Sequence, residues 1–150
     1  MVLIGPPSLV LGQHRREMSV SKYVAFTDLV FKDRRLLLAA LAELGYSEVE
    51  EGEVLPLYGY LGDRRSETAE IVVRRRYLSA ASNDLGFART PQGYVPVISE
   101  YDQRVLHGGQ FLVKLRTAYH ERVVEEVKRR LHGTAQRVVE GHLIKIKVRY

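Results

Sequence analysis

Polar side chains that could bind a ligand or take part in catalysis are concentrated in the segment YLSAASNDLGF, from Tyr77 to Phe87. It places Asn83, the only asparagine of the chain, and Asp84 between an arginine-rich stretch and an apolar one. Such side chains bond to nearby backbone and tolerate left-handed angles, so we expect a structural turn with local hydrogen bonds. The alternative is a buried site in which the Asp84 carboxylate pairs with a distant cation. The candidate partners are Arg104, Arg116 and His120.

Histidine is the second source of chemistry, because it binds metals and moves protons near neutral pH. The five histidines stand at positions 14, 107, 120, 132 and 142, and no two are three or four residues apart, as ligands on one helix face would be. The segment HERVV, from His120 to Val124, begins like a zinc-protease motif but has no second histidine. With 0 Cys, thiolate ligands and cysteine nucleophiles are excluded. We therefore predict no metal and no cofactor.

Catalytic motifs of other kinds are not found in the sequence. No serine stands in a glycine-flanked elbow, and the segments HGGQ and EGH lack the lysine and the length of a phosphate loop. We assign no catalytic residue and favour a protein that is not an enzyme. A hydrolase-like enzyme would require a pocket in which acid and base side chains converge. The candidates for such a pocket are His120, Asp84, Glu100 and Asp102.

Positive charge predicts an anionic partner. The net charge is +5 and the isoelectric point is near 9.6, mostly from arginine, although such a composition with 0 Cys and 2 Met is also typical of thermophilic proteins. A basic sheet face with interleaved tyrosines could follow a phosphate backbone and stack bases, which would indicate RNA binding. The alternative is a solvated outer face. The basic residues are Arg74, Arg76, Lys145, Lys147 and Arg149, and the tyrosines stand at 58, 60 and 77.

Two helices are predicted. The first covers RRLLLAALAEL, with Asp33 as its N-cap and Gly45 as its left-handed stop. The second begins near Gln110 and ends at Gly133. Its apolar stripe consists of Leu112, Leu115, Tyr119, Val123, Val127 and Leu131.

The remaining patterns predict strands. The first is KYVAFTDLVF, residues 22–31, and VLPLYGY is placed at a sheet edge because Pro56 cannot donate a ladder hydrogen bond. LGDRRSET, residues 61–68, is expected to be a loop, and AEIVVRRRYL, residues 69–78, a half-buried strand. DLGFART and YVPVISEY form a hairpin about Thr90–Gly93. QRVVEGHLIKIKVRY, residues 136–150, is predicted to be a second hairpin.

These elements indicate a single α+β domain over residues 18–150, a largely antiparallel sheet with two α-helices packed on one face. Residues 1–17 are expected to be a flexible extension or an upstream mis-start, because the globular pattern begins only after Met18. Their arginines follow the apolar stretch, whereas a secretory signal has its positive charges first. The rival interpretation is an apolar arm that docks on a neighbouring subunit, so a homo-oligomer stays open. The absence of cysteine and of a membrane-spanning run favours a cytoplasmic protein.

Five segments after Met18 follow one another in the same order as in a known protein family. They are LLAALAELGY, AEIVVRR, SNDLGF, VISEYD and FLVKLRTAYHERVVEE. In these the chain resembles a family of small uncharacterised proteins, domain of unknown function 1257, which includes a hypothetical plastid open reading frame and cyanobacterial and bacterial relatives. The family positions on this chain include Asn83, Asp84, Tyr119 and His120, while Thr117 replaces the aromatic that relatives carry before AYH.

The resemblance implies no established reaction. It implies an accessory protein, since such proteins are often encoded near AAA-type ATPases, and hence an adaptor or regulator. The leading hypothesis is thus a cytoplasmic protein that binds another protein, with an AAA-type ATPase as the candidate partner. An adaptor predicts an exposed apolar patch, RNA binding predicts a continuous basic face, and an enzyme predicts a pocket of convergent titratable groups.

Overall fold

The computed structural model of the chain describes residues 21–138, with side chains as far as Gly133. Within these residues the chain forms one five-stranded antiparallel sheet and three α-helices, which confirms the α+β class. The strands are β1 (Tyr23–Ala25), β2 (Glu50–Tyr58), β3 (Arg64–Val73), β4 (Leu85–Thr90) and β5 (Gly93–Ser99). The helices are α1 (Arg34–Glu43), α2 (Glu100–Val105) and α3 (Phe111–Val138). Two helices were predicted, and the structure adds a third, the short α2.

The sheet has the strand order β1-β5-β4-β3-β2. Strand β2 is therefore at an edge, as Pro56 predicted, and the hairpin of β4 and β5 is confirmed, with Gly93 in the left-handed region at φ 141°. Strand β1 is shorter than expected. Beyond it, Phe31 makes only an isolated bridge to Tyr94.

Helix α1 begins and ends where its sequence signals stand. The Asp33 side chain accepts a hydrogen bond from the Leu36 amide at 3.2 Å, and Gly45 has φ 102°, so both predicted ends are confirmed. The buried residues Leu37 and Leu41 lie between the two ends. A tertiary contact adds to the cap, because the Asp33 amide donates to the Tyr119 hydroxyl of α3 at 2.9 Å.

Two apolar cores lie on the sheet. The larger joins α1 and α3 to sheet residues such as Ile71, Phe87 and Ile98. The smaller contains no helix residue and consists of Leu57, Ala69, Val72 and Val97, with Tyr23, Leu55 and Ala88 packed against it. Apolar side chains therefore cover both faces at the centre of the sheet.

The second core exists because the sheet curls. The guanidinium of Arg65, at the start of β3, donates to the Ser21 carbonyl at 2.7 Å and stands 5.1 Å from the centre of the Tyr23 ring. Tyr23 belongs to β1, which is separated from β3 by two strands in the sheet. These contacts bring the far end of β3 over to the opposite edge.

Strand β3 differs from its prediction at both ends. It starts at Arg64, so the expected loop over residues 61–68 is wrong for residues 64–68. It ends at Val73, and a 3-10 turn occupies Arg75–Tyr77. The half-buried pattern is also wrong, since Val72 is fully buried on the second core.

Helix α3 runs to Val138 rather than stopping at Gly133. A glycine inside a helix costs only about 1 kcal/mol relative to alanine, so the residues around Gly133 can carry the helix through it. The predicted hairpin is consequently wrong for residues 136–138. The rest of it, with Lys145, Lys147 and Arg149, lies outside the described residues, as does the predicted extension over residues 1–17.

We predict that Gly86→Ala will destabilise the fold. A Cβ atom at Gly86 would lie 2.7 Å from the Ala69 Cβ and 3.2 Å from Leu57 in the second core. Overpacking of this kind costs about 1–3 kcal/mol, measurable by urea unfolding. The control is Gly133→Ala, whose Cβ meets nothing within 4 Å and which should leave stability unchanged or raise it.

The double variant Gly86→Ala with Ala69→Gly removes the clashing atom and should recover part of the lost stability. A Gly86→Ala protein as stable as the parent would contradict the close approach of β3 and β4 in the second core.

Candidate functional site

The SND segment forms a turn, but the turn is buried. The Ser82 amide donates to the Ser79 carbonyl at 3.1 Å, and the Ser79 amide donates to the Ser82 hydroxyl at 3.0 Å. The exposed fractions of Ser82, Asn83 and Asp84 are only 0%, 1% and 2%. Three successive polar side chains are therefore withdrawn from water, which requires partners for each of them.

The Asp84 carboxylate collects donors from two other parts of the sheet. Its Oδ2 accepts from the Tyr58 amide and from Nη1 of Arg74, both at 2.8 Å, and its Oδ1 accepts from the Arg75 amide at 2.8 Å. The expectation of purely local bonding is thus wrong. The alternative of a buried ion pair is correct in kind, but the cation is Arg74 rather than any of the three candidates.

Arg74 directs four hydrogen bonds into this arrangement. Its Nε and Nη2 each donate to the Glu50 carboxylate at 2.9 Å, and Nη1 also donates to the Pro56 carbonyl at 2.8 Å. Hydrogen bonds to Glu50, and after them those to Asp84, raise the pKa of Arg74 above its usual value. The hydrogen bond with Arg74 in turn lowers the pKa of Glu50. Arg74 is therefore a structural cation that ties β2 to the end of β3.

Tyr23, on the edge strand β1 at the opposite side of the sheet, also contacts Asp84. Its hydroxyl donates to the Asp84 backbone carbonyl at 2.6 Å. Burial, and next the charge of Asp84, raises the pKa of Tyr23, which keeps the phenol protonated as a donor. Asp84 is thus contacted from β1, from β2 and from the residues that follow β3.

A second network begins at the neighbouring Asn83. Its amide donates to Oδ2 of Asp102 at 2.9 Å, its Nδ2 donates to the Ser99 hydroxyl at 2.8 Å, and its Oδ1 accepts from the Tyr60 amide at 3.0 Å. The Ser99 hydroxyl completes the triangle by donating to Oδ2 of Asp102 at 2.8 Å. Oδ1 of Asp102 has no partner among the described residues. This network links the turn to the N-terminus of α2.

The basic sheet face is not formed by Arg74 and Arg76. Both follow the end of β3, and Arg74 is committed to two carboxylates. Arg76 is exposed, with its guanidinium 4.7 Å from the centre of the Tyr77 ring. The predicted position of this pair on the strand is therefore wrong, because β3 ends at Val73 and Asp84 accepts from the Arg75 amide, while anion binding by the pair stays a prediction.

Tyr119 and His120 have separate environments. Tyr119 is buried, as its place on the apolar stripe predicted. It also meets the Phe31 ring edge-on at 5.0 Å, and its hydroxyl accepts from the Asp33 amide at the start of α1. His120 is exposed in a surface pocket with Glu43, Arg116 and Lys128. That pocket contains none of Asp84, Glu100 and Asp102, so the described residues do not bring the predicted hydrolase groups together.

Sequence reasoning missed a contact between Tyr46 and His107. The Tyr46 hydroxyl lies 3.0 Å from Nε2 of His107, which heads three successive left-handed residues with φ values of 51°, 63° and 85°. Burial lowers the pKa of His107, with Lys114 adding to the effect, and burial raises the pKa of Tyr46. The pair ties the end of α1 to the segment before α3. Only the glycine pair after His107 pointed to an unusual backbone there.

An apolar groove opens beside the start of α3. Its walls include Phe26, Leu29 and Leu112, and the exposed fraction of Val113 at its mouth is 60%. Gln103 and Arg116 are its polar lining residues. We call this feature the apolar groove.

A second cavity lies beside the ion pair of Asp84 and Arg74. We call it the arginine pocket, and it is lined by Tyr58, Gly62, Arg74, Arg75, Arg76 and Asp84. Its floor is the ion pair itself, while Arg75 is half-buried and Arg76 is exposed. The arginine pocket is therefore the place where the arginine-rich stretch meets solvent.

Residues 21–138 contain no cluster of metal ligands and no membrane-spanning helix. No group of three or more histidine, aspartate or glutamate side chains there could hold a metal ion. None of the helices in this part of the chain combines the length and the apolar character needed to cross a membrane.

Comparison with known proteins gives one match. The model of a family described as "Protein of unknown function (DUF1257)" matches residues 40–143, which include β2 to β5, α2 and α3. Neither a curated protein nor a solved structure matches the chain. The matched range contains Glu50, Arg74, Asp84 and Asp102, so the charged residues of both buried networks lie inside it, whereas Tyr23 precedes it.

We predict that Asp84→Asn will lower the free energy of unfolding by about 2–3 kcal/mol. Both carboxylate oxygens accept hydrogen bonds, so an amide would turn its NH2 group toward another donor, and Arg74 would lose one of its two counter-ions. Equilibrium urea unfolding measures the loss.

The matched control is Asp28→Asn, at an exposed aspartate, which should change stability by no more than about 0.5 kcal/mol. A loss below about 1 kcal/mol for Asp84→Asn would mean that the carboxylate charge is not needed at this site.

Proposed function

Because the chain belongs to the DUF1257 family of proteins of unknown function, we propose its function from its surfaces: it is a non-enzymatic accessory protein that binds another protein through the apolar groove. The observation that carries the proposal is the exposure of Val113 beside Leu112, Phe26 and Leu29. Apolar side chains that share a concave surface gain by burial against a partner. We place this activity in the cytoplasm, in keeping with a chain that has 0 Cys.

The charge at the groove suggests what the partner presents. Arg116 lines the groove, is exposed and has no ion pair with any residue in the described part of the chain. A segment with apolar side chains and a neighbouring carboxylate would fill the groove and pair with this guanidinium. An AAA-type ATPase is our candidate for the protein that carries such a segment.

The competing functions have less support from the described surfaces. A basic sheet face for RNA binding would not include Arg74 and Arg76, because both follow the end of β3. Its other predicted residues, Lys145, Lys147 and Arg149, are outside the described part. A hydrolase built from the predicted residues would require His120 to meet Asp84 or Asp102, but both aspartates are buried in their own networks. The apolar groove needs no such rearrangement, which is why we prefer the adaptor.

We predict that Val113→Glu will abolish capture of the partner. A carboxylate in the mouth of the groove would have to be desolvated on binding and would repel the acidic group of the partner. The measurement is affinity capture from native lysate with and without nuclease, followed by identification of bound proteins. Loss of an AAA-type subunit with Val113→Glu, in both nuclease arms, is the expected result.

The control is Val54→Glu. Val54 is 69% exposed, close to the 60% of Val113, but it belongs to β2 and not to the groove. This variant should retain the partner. Capture that is insensitive to Val113→Glu, or that disappears with nuclease, would contradict the proposal, and the second outcome would favour RNA.

A further inference from the structure

We propose that the arginine pocket binds a phosphate group, a property separate from the protein-binding surface. Three consecutive arginines, Arg74 to Arg76, contribute to this one cavity. Their charges are not equivalent, because only Arg74 forms ion pairs in the buried network, while Arg76 acts on Glu50 without forming an ion pair with it. The other two are left to meet a ligand.

The floor of the pocket is held by its own hydrogen bonds without a ligand, although one guanidinium facing two carboxylates leaves it with a charge of −1. Arg74 faces the carboxylates of Glu50 and Asp84, and the carboxylate of Asp84 is also held by two backbone amides. The three arginines and these two carboxylates sum to a net charge of +1. The positive sign comes from Arg75 and Arg76, which add +2 to the −1 of the floor and whose guanidinium groups form no ion pair with a described residue.

The backbone of the pocket is fixed before any ligand arrives. The Arg75 amide is bonded to Oδ1 of Asp84, and the Tyr77 amide closes a turn on the Arg74 carbonyl at 3.0 Å. The guanidinium of Arg76 stands over the Tyr77 ring, which restricts the rotation of the guanidinium although Arg76 is an exposed residue. Preorganised donors lose less entropy when an anion binds.

Phosphate fits this arrangement better than a single carboxylate does. Each guanidinium offers a planar fork of N–H donors, and a phosphate group has enough oxygens to accept from two forks at once. The Tyr58 ring forms a wall of the pocket, with the Arg74 guanidinium 5.9 Å from its centre. The phosphate group could be inorganic phosphate or part of a nucleotide, and both sources share this chemistry.

The test is isothermal titration calorimetry of the whole chain, in which the heat of binding is measured for two probes, inorganic phosphate and adenosine monophosphate. We expect saturable binding of at least one probe, weakened by about tenfold or more in Arg75→Gln and Arg76→Gln. Binding of phosphate alone identifies a free-anion site, and tighter binding of the nucleotide identifies a nucleotide site. Arg104→Gln removes an exposed arginine outside the pocket and should bind as the parent does.

Circular dichroism and urea unfolding verify that the variants stay folded, and Arg76, being exposed, gives the safer of the two substitutions. The proposal is overturned if neither probe saturates. It is equally overturned if Arg104→Gln weakens binding as much as the pocket variants do, since binding would then follow net charge alone. The protein-capture experiment uses a different surface, so the two proposals can fail independently.

Discussion

The pairing of Asp84 with Arg74 is the constraint on which the rest of the structure depends. A buried carboxylate is costly unless charge and hydrogen bonds compensate it, and removal of one partner leaves the other charge uncompensated. Here the compensation comes from the end of β2, the residues after β3 and, through the backbone carbonyl, β1. The carboxylate can be buried only when these strands have assembled around the turn.

The curled shape of the sheet is consistent with this requirement, because it brings Tyr23 of β1 to Asp84. A flat sheet would leave Leu57, Val72 and Val97 exposed on the face opposite the helices, whereas the curled sheet buries them together. The close approach of Ala69 to Gly86 belongs to the same curvature. With the helices confined to the other face, the two sites considered for binding are separate: the apolar groove lies at the start of α3, and the arginine pocket lies where β2 and β3 end.

Features set by local chemistry could be predicted from the sequence. Asp33 and Gly45 define α1 because a cap and a left-handed stop act within a few residues, and Thr90–Gly93 defines the β4–β5 hairpin for the same reason. The partner of Asp84 could not be predicted this way. Arg74 is 10 residues away and Tyr58 is 26 residues away, and neither separation is marked by a periodic pattern.

The same limit explains the error at the end of β3. The alternation of apolar and basic residues continued through Arg74 and Arg76, but the strand ended because a tertiary acceptor took the Arg75 amide. The sequence predicted an exposed apolar patch for an adaptor but not its position. Its walls come from Phe26, Leu29 and Leu112, which lie in distant parts of the chain. The family match adds no reaction to this account, so function has to be argued from the surfaces.

Native-state hydrogen exchange at the backbone amides of Tyr58, Tyr60 and Arg75 tests the central claim most directly. Each of these amides donates to a buried side chain, Asp84 or Asn83, rather than to a strand ladder. If the Asp84 network holds the fold together, they exchange only through global unfolding, although β2 is an edge strand. Exchange as fast as that of residues 52–54, in the irregular part of β2, would contradict the account. The hydrogen bonds to the buried side chains would then break locally, without unfolding of the rest of the structure.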